Sequence, residues 1–309
     1  MGKTAFVFPG QGSQYVGMAS QAFHESPRFN AVMGEASEAC GLDLRSLCLE
    51  GPEEALRQTA NQQPAVLAVS VGLWYLLSEC ACRPDVVAGH SLGEYSALVA
   101  SGVLSVADGV WLVRQRGRLM AEAAEGTEGG MAAILGLTVP DVERACAAAT
   151  HLGPVQVANL NCPGQTVISG TRRAVDEAIV VAKALGARRC VLLPVSGAFH
   201  SNLMAPVGVE LGHLLQGLEL HEPRIPVVMN YTADYVDGVE DIAALMMKQV
   251  SGAVRWEASV RRMMDDGVTA FVEVGPGKVL SGLIRKIAGP GISMSRIEDL
   301  RDITRLRGT

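Results

Sequence analysis

The sequence predicts an α/β protein in which a mostly parallel sheet carries helices on both faces and a second, smaller unit interrupts the chain. Short apolar segments alternate with longer segments of helical periodicity, which is the order of a parallel sheet. Apolar residues make up 49% of the chain and aromatic residues only 5%, so small aliphatic side chains must supply the core. A length of 309 residues is enough for one large domain with an insertion.

The elements of the larger unit follow from these patterns in chain order. Before the insertion, strands are predicted over residues 4–8 and 86–88, and helices over residues 13–22, 27–40, 64–78, 105–122 and from residue 93 onward. After the insertion, strands are predicted over residues 227–229 and 270–274, and helices over residues 242–250, 255–266 and 278–287. These elements predict one large unit formed by residues 1–126 and 198–309.

The middle of the chain follows a different order, β-α-β-β-α-β, which is the ferredoxin-like arrangement. Its strands are predicted at 131–135, 155–159, 166–169 and 189–193, and its helices at 139–149 and 174–185. Thr138 and Asp141 stand in capping positions at the start of the first of these helices. We therefore expect an inserted small subdomain over residues 127–197, with a substrate cleft between it and the large unit.

Composition excludes several classes of function. The formal net charge of −6 argues against nucleic acid as a partner. The first residues do not form a signal peptide, and the longest apolar stretch, residues 64–77, is too short to span a bilayer. Seven scattered cysteines indicate a reducing compartment, so we expect a cytoplasmic protein without membrane contact. Cys80 and Cys82 have no second ligand pair near them in sequence, so no metal site is expected.

The segment "AGHSLGEYSA", residues 88–97, matches the G-x-S-x-G pattern of a nucleophile elbow. A strand would enter a sharp turn at Ser91, and a helix would leave from Gly93. The turn exposes the serine hydroxyl, and the two glycines leave room for the neighbouring backbone. An ordinary strand-to-helix turn is the alternative, although the strand before the serine and the helix after it favour the elbow.

A serine nucleophile needs a base and two N–H donors for the oxyanion. Of the six histidines, His200 follows the last strand of the insertion and therefore lies at the edge of the predicted cleft. His90 is held in the elbow with its ring turned elsewhere, and we expect the other four on the surface. One donor should be the N–H of Leu92, and the loop "FPGQGSQ" around Gln11 should supply the other.

Arg114 and Arg116 lie on the long helix of residues 105–122, two positions apart, so they cannot share one face. At least one of them must point toward a less exposed side. An inward arginine is suited to a carboxylate or a phosphate.

These segments together resemble the malonyl-CoA:acyl-carrier-protein transacylases and the related acyltransferase domains of polyketide synthases. "FPGQGSQYVGM", "QQPAVLA", "GHSLGEYSAL", "RGRLM", "NLNCPGQTVISG", "GAFHS" and "EVGPGKVLSGL" occur in the order and at the spacing of that family, over nearly the whole chain. The resemblance implies a hydrolase-like α/β unit that carries a ferredoxin-like subdomain.

Carried over by position, the resemblance implies that Ser91 is the nucleophile and His200 its base. The main-chain carbonyl of Gln249 would orient the histidine, so no aspartate of a triad is expected. Arg116 would bind the malonyl carboxylate in a bidentate pair. Phe199 matches the signature of malonyl-selective members.

The resemblance also implies that the N–H groups of Gln11 and Leu92 form the oxyanion hole. The substrates would be malonyl-CoA and the phosphopantetheine thiol of an acyl carrier protein, with no bound cofactor. Carrier proteins are acidic, so we expect Arg189, Arg285 and Lys286 to form a basic rim that contacts CoA or the carrier protein. We expect a monomer.

Other functions compete with this interpretation. A free-standing polyketide acyltransferase or the malonyl-transfer subunit of a malonate decarboxylase would use the same chemistry. A serine hydrolase or lipase would share the elbow, but Arg116 suits an acidic acyl group better than a neutral lipid. A scaffold without activity is disfavoured because Ser91, His200 and Arg116 are all present.

Overall fold

The computed structural model describes residues 2–80, 82–126, 128–195 and 197–307, which form an α/β protein with two separate sheets. The larger sheet has the strand order β7-β2-β1-β8-β9, and all of its neighbours pair in parallel. Its strands are β1 (Lys3–Phe8), β2 (Val86–Gly89), β7 (Val227–Val228), β8 (Val268–Val274) and β9 (Ser293–Ile297). The predicted fold class is confirmed.

Helices cover both faces of this sheet, because its strands are apolar on both sides. Residues Ala5, Phe6, Val7 and Phe8 of β1 are all fully buried, and they alternate between two core clusters on opposite faces. The helices of this unit are α1 (Ser20–Glu25), α2 (Pro27–Cys40), α3 (Leu44–Leu49), α4 (Glu53–Arg57), α5 (Thr59–Ser78), α6 (Gly93–Ala100), α7 (Val106–Glu125), α10 (Ala205–Leu215), α11 (Val239–Ser251), α12 (Trp256–Asp265), α13 (Val279–Ala288) and α14 (Leu300–Arg307).

The smaller sheet is antiparallel and has the order β4-β5-β3-β6, as expected for a ferredoxin-like unit. Its strands are β3 (Gly129–Leu135), β4 (Val155–Cys162), β5 (Gln165–Thr171) and β6 (Arg189–Leu192), and its helices are α8 (Val139–Ala149) and α9 (Arg172–Ala184). The Thr138 side chain caps α8 by accepting from the Asp141 N–H, as predicted. The predicted boundary residue Thr127 lies outside the described residues.

Strand β4 joins the two units. The Leu160 N–H donates to the Val254 carbonyl at 2.9 Å, and the Val254 N–H donates to the Ala158 carbonyl at 2.9 Å. This short parallel bridge attaches β4 to the segment before α12. A cleft remains between β4 and the carboxyl ends of the central parallel strands, where ligands bind in open α/β sheets.

The predicted helix over residues 13–22 is wrong. Gly12 and Gly17 have φ of 92° and 93°, and Ala19 has φ of 54°, so the chain makes left-handed turns that a right-handed helix cannot contain. Helix α1 begins only at Ser20. Tyr15 and Val16 in this segment are 41% and 37% exposed, whereas Met18 and Ala22 are fully buried.

Helix α5 begins five residues before the predicted start at Pro64, and it contains this proline. A proline has no N–H, so the carbonyl of Ala60, four residues earlier, loses its helical partner. Arg114 Nη1 donates to this carbonyl at 2.7 Å and to Asn61 Oδ1 at 2.7 Å. The arginine therefore replaces the hydrogen bond that the proline removes.

The end of the chain carries elements that no sequence pattern predicted. Strand β9 extends the parallel sheet at its edge by pairing with β8, and α14 follows it. Within the described residues, no helix combines the length and the apolar composition needed to cross a membrane.

Candidate active site

The turn after β2 has the geometry of a nucleophile elbow. Ser91 has φ of 52°, in the left-handed region that non-glycine residues rarely adopt, and α6 begins two residues later. A Cβ on Gly89 would collide with the backbone of Gly93, and a Cβ on Gly93 would collide with the carbonyl of Phe8. Both glycines are therefore required by close approach, as the sequence predicts.

Asn230, just after β7, holds this strained turn from both sides. Its Nδ2 donates to the Gly89 carbonyl at 2.6 Å, and its Oδ1 accepts from the Ser91 N–H at 2.7 Å. Asn230 is fully buried, so these bonds are protected from water. The sequence did not reveal this residue, because it lies 139 positions from Ser91 and outside the motifs that carry the resemblance.

His200 lies beside the serine, as predicted. The Ser91 hydroxyl and His200 Nε2 are 2.6 Å apart, and His200 Nδ1 is 2.8 Å from the main-chain oxygen of Gln249. A carbonyl oxygen only accepts, so Nδ1 carries the proton and Nε2 has a free lone pair for the serine hydroxyl. Like Ser91, His200 has a left-handed backbone, with φ of 58°.

The histidine is neutral over the ordinary pH range. Burial, and then the positive charge of Arg116, lower the pKa of His200 from 6.5 to about 3. A neutral imidazole is the form that can take a proton. The pair can therefore activate the serine without first losing a proton to solvent.

Arg116 is fully buried and is held by two neutral amide groups. Nη1 donates to Gln63 Oε1 at 2.7 Å, Nη2 donates to Gln249 Oε1 at 3.2 Å, and Cζ lies 5.3 Å from the centre of the Tyr95 ring. Within the described residues, Nε has no acceptor and no carboxylate is hydrogen-bonded to this guanidinium. A buried cation without a bonded carboxylate is suited to binding one.

The side chain of Gln249 connects this cation to the elbow. Its Nε2 donates to the Ser91 carbonyl at 2.8 Å and to Glu94 Oε1 at 3.1 Å, while its Oε1 accepts from Arg116. The resemblance implied a role only for the main-chain carbonyl of Gln249. The structure shows that the side chain also joins Arg116 to the backbone of Ser91.

Glu94 is a second buried residue whose place in the site the sequence did not reveal. Its carboxylate accepts from the Asn230 N–H and from Gln249 Nε2. Burial raises the pKa of Glu94 to about 8, although the Asn230 N–H and the charge of Arg116 act in the opposite direction. In the sequence, the signal for it was an acidic residue at the start of a helix whose other residues carry no charge.

A cleft of about 600 Å³ opens onto these groups. Its lining includes Ser91 and His200 from the predicted catalytic pair, Gln11 from the first loop, and Phe199, with Met120 and Met131 among the apolar residues. Arg116 does not line the cleft; Gln63 lies between, with its Nε2 3.5 Å from Met120 Sδ. Ser91, His200, Gln11 and Phe199 therefore lie together in the cleft wall, and Arg116 lies behind that wall.

The two expected oxyanion donors lie where the first loop meets the elbow. A Cβ on Gly10 would collide with the carbonyl oxygen of His90, so this loop lies directly against the turn. In the part of the chain that the structure describes, neither the Gln11 N–H nor the Leu92 N–H donates to a protein acceptor. Both are free to bind a developing negative charge.

The remaining histidines lie where the sequence predicts. His90 Nε2 is 2.8 Å from Asn161 Oδ1, so this ring points away from the serine hydroxyl, and His24, His151, His213 and His221 are exposed. Among the described residues, no group of three or more His, Cys, Asp or Glu side chains is placed to hold a metal ion.

The predicted basic rim lies away from the catalytic cleft. Arg189 and Gln165 both pair with Leu135 across the small sheet, and Lys286 Nζ donates to Gln165 Oε1 at 3.2 Å. Arg189 and Lys286 therefore share one end of this sheet, with Arg285 next to Lys286 in sequence. All three are exposed, and none is among the described residues that line the cleft.

The model of the acyl transferase domain matches residues 5–291. The chain belongs to this acyl transferase family. It is 45% identical over 288 residues to a malonyl CoA-acyl carrier protein transacylase from Bacillus subtilis (strain 168), covering 93% of this chain and 91% of that protein. A transacylase of the same name from Staphylococcus aureus (strain MW2) is 40% identical over 304 residues, which is 98% of each chain.

Solved structures of the acyl transferase family agree with this assignment. A malonyl-CoA:acyl carrier protein transacylase from Xanthomonas oryzae pv. oryzae superimposes with a TM-score of 0.96 at 42% identity, covering 100% of this chain and 98% of the other. A malonyl-transacylase in complex with its type II polyketide acyl-carrier protein gives 0.96 at 38% identity, with 99% of each chain covered. The family resemblance inferred from the motifs is confirmed.

The low pKa of His200 predicts an unusual pH dependence for the reactivity of Ser91. We expect the rate of Ser91 sulfonylation by phenylmethylsulfonyl fluoride to stay nearly constant from pH 8 down to pH 5. If the base had the ordinary histidine pKa of 6.5, the sulfonylation rate would fall about 30-fold over the same range, because the base becomes protonated. The rate is measured by intact mass, with Ser91→Ala as the blank and circular dichroism at each pH as the control for folding. A steep fall centred near pH 6.5 would contradict the pKa of about 3.

Proposed function

We propose that the protein transfers a malonyl group from malonyl-CoA to the phosphopantetheine thiol of an acyl carrier protein, through a malonyl ester of Ser91. The observation that carries this proposal is the 2.6 Å contact between Ser91 and a neutral His200, with a buried arginine one amide group away. Relatives of 40–45% identity over nearly the full chain carry the name of this activity.

The proposed reaction has two half-reactions that use the same groups. His200 Nε2 takes the Ser91 proton as Oγ attacks the thioester carbonyl, and the N–H groups of Gln11 and Leu92 stabilise the oxyanion. The CoA thiolate leaves with the proton from His200, and the malonyl ester remains on Ser91. The thiol of the carrier protein then gives its proton to His200, attacks the ester and restores the serine hydroxyl.

Arg116 is proposed to bind the malonyl carboxylate. A carboxylate can bind the guanidinium through the unpaired Nε, through the second hydrogen of Nη1 or Nη2, or by replacing one of the two glutamine oxygens. A carboxylate carries a full negative charge and an amide oxygen only a partial one, so a carboxylate competes well for the buried guanidinium. Phe199, 4% exposed in the cleft wall, is proposed to limit the space beside the acyl group.

The alternatives are less well supported. A serine hydrolase for neutral lipids would have no use for the buried cation. The likeness to a polyketide malonyl-transacylase is as close in shape as the likeness to the Xanthomonas protein, but slightly lower in identity, so it does not displace the main proposal. Because one chain supplies every residue of the site, we propose that the protein acts as a monomer, and its scattered cysteines support a cytoplasmic location.

Intact mass after brief mixing with malonyl-CoA tests the proposed function. We expect the protein to gain one malonyl group, to gain none when Ser91 is replaced by alanine, and to lose the group again on addition of holo acyl carrier protein. Acetyl-CoA is measured alongside. No gain with malonyl-CoA, or a faster gain with acetyl-CoA, would refute the proposal.

Arg116→Ala is expected to lower the preference for malonyl-CoA over acetyl-CoA by about 10- to 100-fold, since each charge-assisted hydrogen bond contributes roughly 1.5–3 kcal/mol. The measurement is the ratio of the two acylation rates. Loss of the hydrogen bond from Arg116 to Gln249 could also displace Gln249, but that would lower both acylation rates by the same factor. Arg118→Ala, an exposed arginine on the same helix, is the matched control and should leave the ratio unchanged. An unchanged ratio in Arg116→Ala would remove the arginine from substrate recognition.

The basic rim is proposed to contact the carrier protein. Arg189→Glu combined with Lys286→Glu should slow malonyl transfer to holo carrier protein several-fold at low salt, and the difference should shrink at high salt because exposed charges are screened. Arg28→Glu on α2 combined with Arg305→Glu on α14, both exposed, is the control for the same change of net charge elsewhere. Equal carrier-protein kinetics in the double variant and the control at low salt would exclude this rim from docking.

A further inference from the structure

Gln62 on α5 has a buried polar atom that nothing in the described chain satisfies. Its side chain lines the catalytic cleft and is only 3% exposed, yet its Oε1 has no hydrogen-bond partner among the described residues. Buried polar groups are nearly always hydrogen-bonded in folded proteins, so an unpaired one in a cleft points to a ligand.

The neighbouring polar side chains on the same wall do have partners. Gln58 Oε1, one helical turn earlier, accepts from Asn61 Nδ2 at 3.2 Å. Thr59 Oγ1 accepts from Gln63 Nε2 at 3.0 Å. Gln62 is therefore distinguished from both cleft-lining neighbours by an acceptor that is available to a ligand.

The missing partner must be a hydrogen-bond donor, because a carboxamide oxygen only accepts. At neutral pH the malonyl group offers a carboxylate and a thioester carbonyl, and both of these are acceptors. The pantetheine arm, which carries the thiol in CoA and in a carrier protein, has two secondary amides with an N–H each, and a hydroxyl. The donor that suits Gln62 therefore comes from the arm and not from the acyl group.

We propose that Gln62 accepts a hydrogen bond from an N–H or O–H donor of the pantetheine arm, an inference that rests on the proposed transacylase function. The same cleft is lined by the exposed pair of Arg57 and Glu53, by Gln62 and by the buried His200, so an arm that reaches Ser91 through it comes within reach of this wall. Both substrates carry the same arm. One contact at Gln62 therefore positions the thioester in the first half-reaction and the attacking thiol in the second.

The test compares Gln62→Met with malonyl thioesters that have or lack the amides. Methionine keeps the length of glutamine but has no carboxamide. Malonyl-pantetheine carries both amides, and the malonyl thioester of butanethiol carries none. The rate of malonyl-enzyme formation is followed by intact mass for the wild-type protein, for Gln62→Met, and for the control Gln58→Met, whose oxygen has a partner within the protein.

We expect Gln62→Met to lower the rate with malonyl-pantetheine by about 10-fold, as for the loss of a hydrogen bond to a buried group, and to change the rate with the butanethiol ester less than about twofold. Gln58→Met should change the ratio between the two esters less than about twofold. Discharge of preformed malonyl-enzyme by pantetheine and by butanethiol should show the same selective loss in Gln62→Met.

An equal loss with both esters in the Gln62 variant, or no loss with malonyl-pantetheine, overturns the role of Gln62. Thermal unfolding of each variant shows whether an equal loss comes from a damaged fold, and the discharge measurement repeats the comparison on the acylated fraction alone. Malonyl-CoA is measured in parallel. If the wild-type protein forms no malonyl ester even with malonyl-CoA, the proposed function fails and this inference fails with it. Acylation by malonyl-CoA with no difference between wild-type protein and Gln62→Met on the truncated esters overturns the role of Gln62 alone.

Discussion

The hydrogen bond from His200 Nδ1 to the main-chain oxygen of Gln249 determines the chemistry of the cleft. Since a carbonyl only accepts, it fixes the tautomer that presents a lone pair to Ser91. Since it is uncharged, it stabilises a protonated imidazole less than a carboxylate would. The side chain of the same residue connects Arg116, Glu94 and the Ser91 carbonyl. The base, the nucleophile and the buried cation therefore have a fixed geometry only while the end of α11 stays in place.

Pro64, which lies within α5, affects the cleft wall that this helix forms. Pro64 leaves the Ala60 carbonyl without a helical partner, and Arg114 fills that position. The adjacent Gln63 accepts from Arg116. Arg114 and Arg116 leave α7 on different faces, but both long side chains reach α5: Arg114 donates to its backbone and Arg116 donates to a side chain. Both are anchored beside the irregularity that Pro64 introduces, so this proline is part of the support for the proposed carboxylate site.

Much of this arrangement could be predicted from local sequence, and the failures have physical causes. The elbow at Ser91 was predictable because a strand, two glycines and a helix lie within ten residues. Glu94 and Asn230 were not, because their roles depend on contacts between positions 136 apart that no spacing rule contains. The helix predicted over residues 13–22 is absent because Gly12, Gly17 and Ala19 have positive φ, which a helical pattern of side chains does not reveal. Gln62 could not be predicted either, because only the folded structure shows that its Oε1 lacks a hydrogen-bond donor.

The charge that we propose to bind the malonyl carboxylate also acts on His200. After burial, Arg116 is the largest influence that lowers the pKa of His200. A carboxylate bound to Arg116 would compensate this charge, so the pKa of His200 should rise when a malonyl group occupies the site. An acetyl group offers no such compensation and would leave the histidine a weaker base. Selectivity for the malonyl group would then arise in the chemical step as well as in binding. Only a substrate with a carboxylate on Arg116 would raise the pKa of His200 and make it a stronger base.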